Sequence, residues 1–382
     1  MEILRGNGNP KKNEFNQQKM HLEKRLQTLL ERRKAAGNWR ALQHKEHLID
    51  FCSNDYLSLA KMPWDNPTPY KGGATGSRLL SGHYPLLEEL EELLQDFHQA
   101  EAALVLNSGY SANLSLLSAV PRRSDIILYD ALIHASMHDG LKLSAATALP
   151  FAHNDVKALE GLLQKHQGKT IFVLVESIYS MDGDEAPLLA LVDLCVHYGA
   201  YLVVDEAHST GCYGEYGEGL CCALGIEQQV FARVYTFGKA LGAYGAAILG
   251  SVTLRDFLIN YARPFIYTTA PSPASVQRVL WAYQQLQEQG ATWIKELKAK
   301  IQFFRDNLPS SREALPSQSA IQSILVPGNE AVVQCSLELE KQGFDVRPIR
   351  RPTVAAGSER LRICLHLHNS WAEIEALLKA LA

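Results

Sequence analysis

The chain has 382 residues, of which 47% are hydrophobic and 20% charged. That composition excludes the disordered, collagen-like and mini-protein classes, and the length suffices for one large core and a smaller one. Lys plus Arg number 37 and Asp plus Glu 41, a formal net charge of −4, so no basic excess is present to hold a nucleic-acid backbone. No run of about 18 apolar residues occurs, which argues against a membrane span. The N-terminal stretch is basic, but it carries Glu2, Glu14, Glu23 and Glu31 and no hydrophobic signal core. Neither a secretion signal nor an import presequence is expected. The seven cysteines are scattered, with Cys221 and Cys222 adjacent, and read as reduced thiols of a cytoplasmic protein.

Residues 1 to about 14 are polar and are expected to fray. Leu22, Leu26, Leu29 and Leu30 then follow helical spacing, with Lys and Arg on the other face. They predict an amphipathic helix, ended by Gly37-Asn38; a basic helix could lie on a membrane, but such a stripe more often docks on its own domain or on a partner subunit. From Ile49 to Pro273 a strand–loop–helix pattern recurs. Short apolar runs predict buried strands over 103–107, 126–129, 171–176, 201–205, 234–237 and 246–249, with helices between, such as 85–97 and 188–197. The alternation implies an α/β fold with a mostly parallel sheet wrapped by helices. Pro264, Pro271 and Pro273 mark a change of regime. A long helix over 274–308 follows, then strands near 323–326 and 361–364. The expected organisation is an N-terminal helical segment (1–48), a large domain (49–273) and a small C-terminal α+β domain (274–382).

Open parallel sheets place their sites beyond the carboxyl ends of the strands. After the strand at 103–107 comes Ser108-Gly109-Tyr110-Ser111-Ala112-Asn113, a turn that opens a helix and suits a phosphate held by backbone N–H groups. A plain strand–helix turn with a serine cap would read the same way. Asp205 ends a hydrophobic strand, where an unpaired carboxylate is costly and calls for a cationic partner. His208, three residues on, could approach the same ligand. A capping Asp and a loop His are equally good readings of the two alone. Lys239 stands in Gly238-Lys239-Ala240-Leu241-Gly242, where close backbone approach is possible and a desolvated amine can act as a nucleophile. A phosphate-binding or surface lysine is its rival. A zinc reading of His208, Cys212, Cys221 and Cys222 fits no common ligand spacing. His366 and His368 read as strand-end residues. No metal is expected. The combination says more than its parts: a phosphate turn, a buried Asp and a glycine-framed Lys are what pyridoxal 5'-phosphate requires, with His134 placed after another strand to stack on its ring.

Further motifs fall in one order along the chain: Asn54-Asp55-Tyr56-Leu57, Gly76-Ser77-Arg78-Leu79-Leu80-Ser81-Gly82, His134-Ala135-Ser136, Ser180-Met181-Asp182-Gly183, Asp205-Glu206-Ala207-His208 and Thr236-Phe237-Gly238-Lys239. From about residue 20 to the end, the chain resembles the α-oxoamine synthase family of fold-type-I, aminotransferase-like pyridoxal-phosphate enzymes. Those enzymes condense an amino acid with an acyl thioester and lose carbon dioxide. Phe151-Ala152-His153-Asn154-Asp155 and Arg263-Pro264-Phe265-Ile266-Tyr267-Thr268-Thr269 resemble its biotin-pathway branch, which joins L-alanine to a pimeloyl thioester. Related branches pair glycine with acetyl-CoA or serine with palmitoyl-CoA. A non-enzymatic scaffold on this fold would have no need of Lys239.

The resemblance implies a role for each matching residue. Lys239 is the Schiff-base lysine and Cα proton shuttle. Asp205 is the partner of the pyridine nitrogen, His208 the ligand of the phenolic oxygen and His134 the stacking histidine. Ser108, Gly109 and Tyr110 form the phosphate turn, with Thr236 a phosphate-side hydroxyl and Ser180 near the ring. Asn54 and Arg362 hold the substrate carboxylate, Glu176 is a substrate-side acid, and Arg40 lies near the acyl substrate. Thr268, Thr269 and the loop over 72–82 are similar to segments that reach the neighbouring site in a homodimer. Arg360 and Arg362 share one side of a strand, and the resemblance alone favours Arg362. The carrier of the acyl group, coenzyme A or a carrier protein, stays open.

Overall fold

The computed structural model describes residues 10–37, 39–64 and 72–382. Among them are twelve strands, most of them separated by helices. The strands are β1 (Ile49–Asp50), β2 (Ala102–Leu106), β3 (Ile126–Asp130), β4 (Thr147–Phe151), β5 (Ile171–Glu176), β6 (Tyr201–Asp205), β7 (Ala232–Thr236), β8 (Ala246–Gly250), β9 (Ile321–Leu325), β10 (Phe344–Asp345), β11 (Arg347–Ile349) and β12 (Arg360–Cys364). A seven-stranded sheet has the order β2-β8-β7-β6-β5-β3-β4. All its neighbours run parallel except β8, which is antiparallel to both β2 and β7.

The inner strands of the sheet are buried on both faces because they are apolar at most positions, the charged exceptions Asp130, Glu176, Asp205 and Arg233 being buried with them. On β3 and β5, Leu128, Val173 and Val175 pack into one core, while Ile127, Phe172 and Leu174 pack into the other. Successive side chains of a strand point to opposite faces, so a continuous apolar run fills both layers. Each fully buried Val, Leu or Ile contributes roughly 1.5–3 kcal/mol. The second layer holds the helices Gly109–Ala119, Ala135–Leu143 and Val252–Tyr261.

Every strand expected from the sequence is present, within one or two residues. β4 was not expected, because Pro150 interrupts its apolar run. It lies at the edge, pairing with β3 alone, and an edge strand tolerates a missing N–H. The long helix runs from Pro273 to Asp306, with proline in its first turn and Ser272 capping it by accepting from Ser275 N at 3.2 Å.

β9, β11 and β12 form an antiparallel sheet of order β11-β12-β9. β1 pairs with β10 in parallel, so the segment that leads into Asn54 is attached to C-terminal chain. Cys364 N donates to Phe51 O at 2.9 Å and Leu367 N to Tyr56 O at 3.0 Å, extending that attachment.

The N-terminal helix spans Pro10–Ala35, so part of the stretch expected to fray is helical. Gly37 adopts φ +66° and ends it, while Asn38 and residues 1–9 lie outside the described residues. Leu22, Leu26, Leu29 and Leu30 are between 46% and 53% exposed, so their stripe is not docked on its own chain.

Candidate active site

The C-terminal edge of the large sheet opens into a cleft of about 330 Å³. Asn107 to Tyr110 reach it after β2, His134 after β3, Glu176 at the end of β5, Asp205 at the end of β6 and Thr236 at the end of β7. Lys239 follows β7, and Tyr244 and Gly245 precede β8, whose reversed direction brings its start to the same edge. Of the residues expected at the site, Ser108, Gly109, Tyr110, His134, Asp205, Thr236, Lys239, Asn54 and Glu176 line this one cleft.

Helix Gly109–Ala119 points its N-terminus into the cleft. Ser108 caps it, accepting from Ser111 N at 3.1 Å. Gly109 is required by packing rather than by its backbone angles. A Cβ there would lie 2.4 Å from Thr236 Cγ2. Tyr110 turns outward and its hydroxyl donates to Asp139.

Asp205 is buried and has no ion-pair partner among the described residues. It accepts from Asn113 Nδ2 at 2.8 Å and from Ala207 N at 2.9 Å. Its neighbour Glu206 serves the structure, accepting from Leu220 N at 2.8 Å and Cys221 N at 2.7 Å. Asn113 also donates to Ser136 Oγ at 3.0 Å, and that hydroxyl lies 2.8 Å from His134 Nδ1. Ser136 N donates to the same His134 nitrogen at 3.2 Å, which leaves the ring proton on Nε2. Burial, aided by Lys239, lowers the His134 pKa, so the ring is neutral. The sequence motifs contained Asn113 and Ser136 without assigning them a task. The signal was there for Asn113, four residues after Gly109 and hence on the same helix face.

Glu176 and Asp205 are register partners on adjacent parallel strands. Burial, and then the neighbouring Asp205, push the Glu176 carboxyl up to about 8. Burial pulls the Lys239 amine down to about 8, against the pull of Asp205 and Glu176. An amine so placed is still mostly protonated near pH 7, but it gives up its proton far more readily than an ordinary lysine and so serves more readily as a nucleophile or base.

Arg362 lies beside this cleft on β12. Its guanidinium donates to Asn54 Oδ1 at 2.9 Å, to Ser180 O at 2.7 Å and to Cys364 Sγ at 3.0 Å. Arg360 shares its side of the strand but pairs with Asp182. The structure thus separates two arginines that spacing could not. His208 is not among the lining residues. It is buried behind them, its Nδ1 2.8 Å from the hydroxyl of Tyr56, which also donates to Asn54 Oδ1 at 3.1 Å. Burial holds His208 well below the usual imidazole range.

Three expected residues stand apart. Thr268 lines a neighbouring crevice with Arg78 and Phe265, and Thr269 meets the cleft only through its carbonyl, which accepts from Asn107 Nδ2 at 2.8 Å. Arg40 lines a separate cleft of about 590 Å³ with Arg347, Arg350 and Arg351. The seven cysteines are unpaired. Among the described residues, two groups of acids and histidines lie close together, Asp50–His366–His368 and His153–Asp182–Asp184, and neither includes the cysteines considered for zinc. No helix of the described residues is long and apolar enough to cross a membrane.

A fold-type-I sheet with a lysine, a buried acid and a helix N-terminus at one edge defines a class, and the family comparison agrees. The model of the family described as aminotransferase class I and II matches residues 46–381, and the chain belongs to that family, within its α-oxoamine synthase group. It is 38% identical over 364 residues to 8-amino-7-oxononanoate synthase of Emericella nidulans, covering 87% of this chain and 88% of that one. It is 39% identical over 343 residues to the protein of the same name from Methylobacillus flagellatus, covering 88% and 86%. Among solved structures, serine palmitoyltransferase of Sphingomonas wittichii superposes with a TM-score of 0.81 at 29% identity, covering 87% and 86%. An 8-amino-7-oxononanoate synthase from Francisella tularensis gives 0.72 at 28%, covering 87% and 96%. The backbone is therefore shared between proteins named for different acyl products, which stand at 29% and 28% identity, while the relatives at 38% and 39% are both named 8-amino-7-oxononanoate synthase.

Proposed function

We propose that this protein condenses L-alanine with a pimeloyl thioester, releasing carbon dioxide and the free thiol, to give 8-amino-7-oxononanoate, with pyridoxal 5'-phosphate as cofactor. The observation that carries the reading is a buried acid without an ion-pair partner among the described residues, Asp205, lining one cleft with the Lys239 amine. The cleft fits the cofactor: it has a helix N-terminus, a glycine cradle where a Cβ would strike Thr236, and an unsatisfied Asn113 Oδ1. Gly109 and Tyr110 N–H groups would hold the phosphate, and Lys239 would be the covalent anchor. Asp205 would face the pyridine nitrogen and His134 the ring face. Ser180, His208 and Thr236 complete the surroundings in this reading.

The cofactor supplies an electron-poor ring that takes up negative charge developing at an amino-acid Cα. The protein does the rest. Arg362 and Asn54, held together by a 2.9 Å hydrogen bond, grip the substrate carboxylate. The Lys239 amine removes the Cα proton and returns one after carboxylate loss. Glu176, largely protonated below about pH 8, can sit beside a second negative group without repulsion. Arg40 would meet an anionic part of the acyl substrate or its carrier, in a cleft shared with other arginines.

The active form in this reading is a homodimer. The leucine stripe of the N-terminal helix lacks cover, and Ala270 N donates to Gly76 O at 3.0 Å, holding the two segments assigned to the neighbouring site side by side. Isologous dimers are the commonest symmetric assembly. Sedimentation that finds fully active monomers at dilute concentration rejects this part.

The deciding experiment measures thiol release by one preparation with alanine plus pimeloyl-CoA, glycine plus acetyl-CoA, and serine plus palmitoyl-CoA. One methyl in the donor pocket discriminates by only about 1–3 kcal/mol, so glycine should be a poor but detectable donor. Acyl length should discriminate more sharply, at roughly 0.8 kcal/mol per buried CH₂. A higher kcat/KM for the glycine or serine pair would replace the alanine reading. A protein that stays colourless with the cofactor, with nothing for hydroxylamine to bleach, would be a scaffold.

A further inference from the structure

His153 follows β4, lies outside the cleft and takes no part in the steps above. Its Nδ1 is 2.9 Å from Asp130 Oδ1 and its Nε2 is 2.8 Å from Asp184 Oδ2. A neutral imidazole has one N–H and can serve only one carboxylate. Asp130 is kept ionised by Leu132 N and Asn154 N, each 2.8 Å from one of its oxygens. Asp184 also accepts from Asn154 Nδ2 at 2.8 Å. With an acceptor on each nitrogen, the ring carries both protons. Burial opposes that charge, and the bonds to Asp130 and Asp184 outweigh it.

The two carboxylates belong to different walls of the site. Asp130 ends β3, four residues before His134 in the sequence. Asp184 belongs to the loop over 179–185, which is closed on itself by Tyr179 N to Asp184 O at 3.0 Å and Gly183 N to Tyr179 O at 2.8 Å. The Tyr179 ring stands edge-on to His153, with centroids 4.4 Å apart. This loop also presents the Ser180 carbonyl to Arg362 Nε at 2.7 Å and Asp182 to Arg360. The loop therefore sets where both arginines of β12 point, and His153 fastens it to β3 by an ion pair at each nitrogen, alongside the neutral bridge that Asn154 makes between the same two carboxylates.

We propose that His153 is a positioning residue for the amino-acid substrate: an imidazolium clamped between Asp130 and Asp184 that fixes the 179–185 loop, and through the Ser180 carbonyl aims Arg362 at the substrate carboxylate. The inference rests on the alanine reading above. It predicts a defect in holding the amino acid, not in the bond-breaking steps, because Arg362 grips the carboxylate in ground state and transition state alike.

The test uses full-length, cofactor-loaded protein and the variants His153→Gln, Asp184→Asn and both together. Equilibrium binding of L-alanine is followed by the change in cofactor absorbance, alongside melting temperature, cofactor retention and steady-state kinetics. Each single variant should weaken alanine binding and raise its KM about tenfold, with kcat and the thioester KM within about threefold of wild type. The double variant should be no worse than the weaker single one, since the two residues form one unit. Wild-type alanine affinity in both single variants overturns the proposal. So does a loss spread equally over kcat, both KM values and melting temperature, which would make the clamp a general structural prop. A wild-type protein that binds neither cofactor nor alanine overturns this inference and the proposed function together. Normal binding by wild type and variants alike removes the role of His153 alone.

Discussion

Asn113 ties Asp205 to the His134 loop: its amide donates to Asp205 Oδ2 at 2.8 Å and to Ser136 Oγ at 3.0 Å. One helix residue thereby sets the distance between the acid under the proposed ring position and the histidine over it. With Ala207 N on its other oxygen, Asp205 has little freedom to turn.

Asp205→Asn keeps the shape and removes the charge. kcat should fall about 100-fold with a smaller change in KM, because the charge matters when a negative charge develops at Cα. Asn113→Ala keeps the charge and removes its orientation, and kcat should fall about tenfold. Steady-state kinetics on both variants check the order. Wild-type kcat in Asp205→Asn would make that acid a structural cap.

Lys239→Ala removes the proposed anchor and the proposed proton-moving amine together. The variant should fold, with an unchanged circular dichroism spectrum, and turnover should collapse by at least about 1,000-fold. Near-normal turnover would sink the assignment.

Gly109→Ala should weaken cofactor binding about tenfold or more, since the added Cβ would sit 2.4 Å from Thr236 Cγ2. Thr236→Ser in the same chain deletes that methyl and keeps the hydroxyl, so part of the affinity should return. Fluorescence titration with the cofactor reads both changes. No recovery in the pair would place the defect elsewhere.

Glu176 predicts a pH effect on the apoprotein. Its folded pKa of about 8 stands above its ordinary 4.5. Between those values the folded protein holds a proton that the unfolded chain has released. The group's contribution to stability therefore falls as pH rises through that window. Glu176→Gln does not titrate, so its melting temperature relative to wild type should climb from about pH 5 to about pH 8. A constant difference across that range would mean that Glu176 stays charged.

What could be read from the sequence was local. Lys239, Asp205 and Gly109 each follow a recognisable apolar strand, so order along the chain was enough to bring them to one edge of a parallel sheet. What could not be read depends on partners far away in the chain. Asn113 meets Asp205 across 92 positions and Ser136 across 23. Arg360 and Arg362 look equivalent until Asp182 takes one and Asn54 the other. β4 escaped notice because Pro150 breaks the strand pattern, and only its edge position makes that tolerable. The leucine stripe of the N-terminal helix could be read from its spacing, and the helix is present, but spacing says nothing about what covers the stripe, which stays about half exposed on its own chain.

The attachment of β1 to β10 has a mechanical consequence. Asn54 and Arg362 come from opposite ends of the chain, yet Asp50, Phe51, Ser53 and Tyr56 are all stitched to residues between Phe344 and Asn369. Both fingers of the proposed carboxylate grip are thus mounted on a single jaw. If that jaw rocks against the large sheet, the fingers travel together and their spacing is preserved. What changes is their height above Lys239, and with it the angle at which a gripped amino acid meets the base.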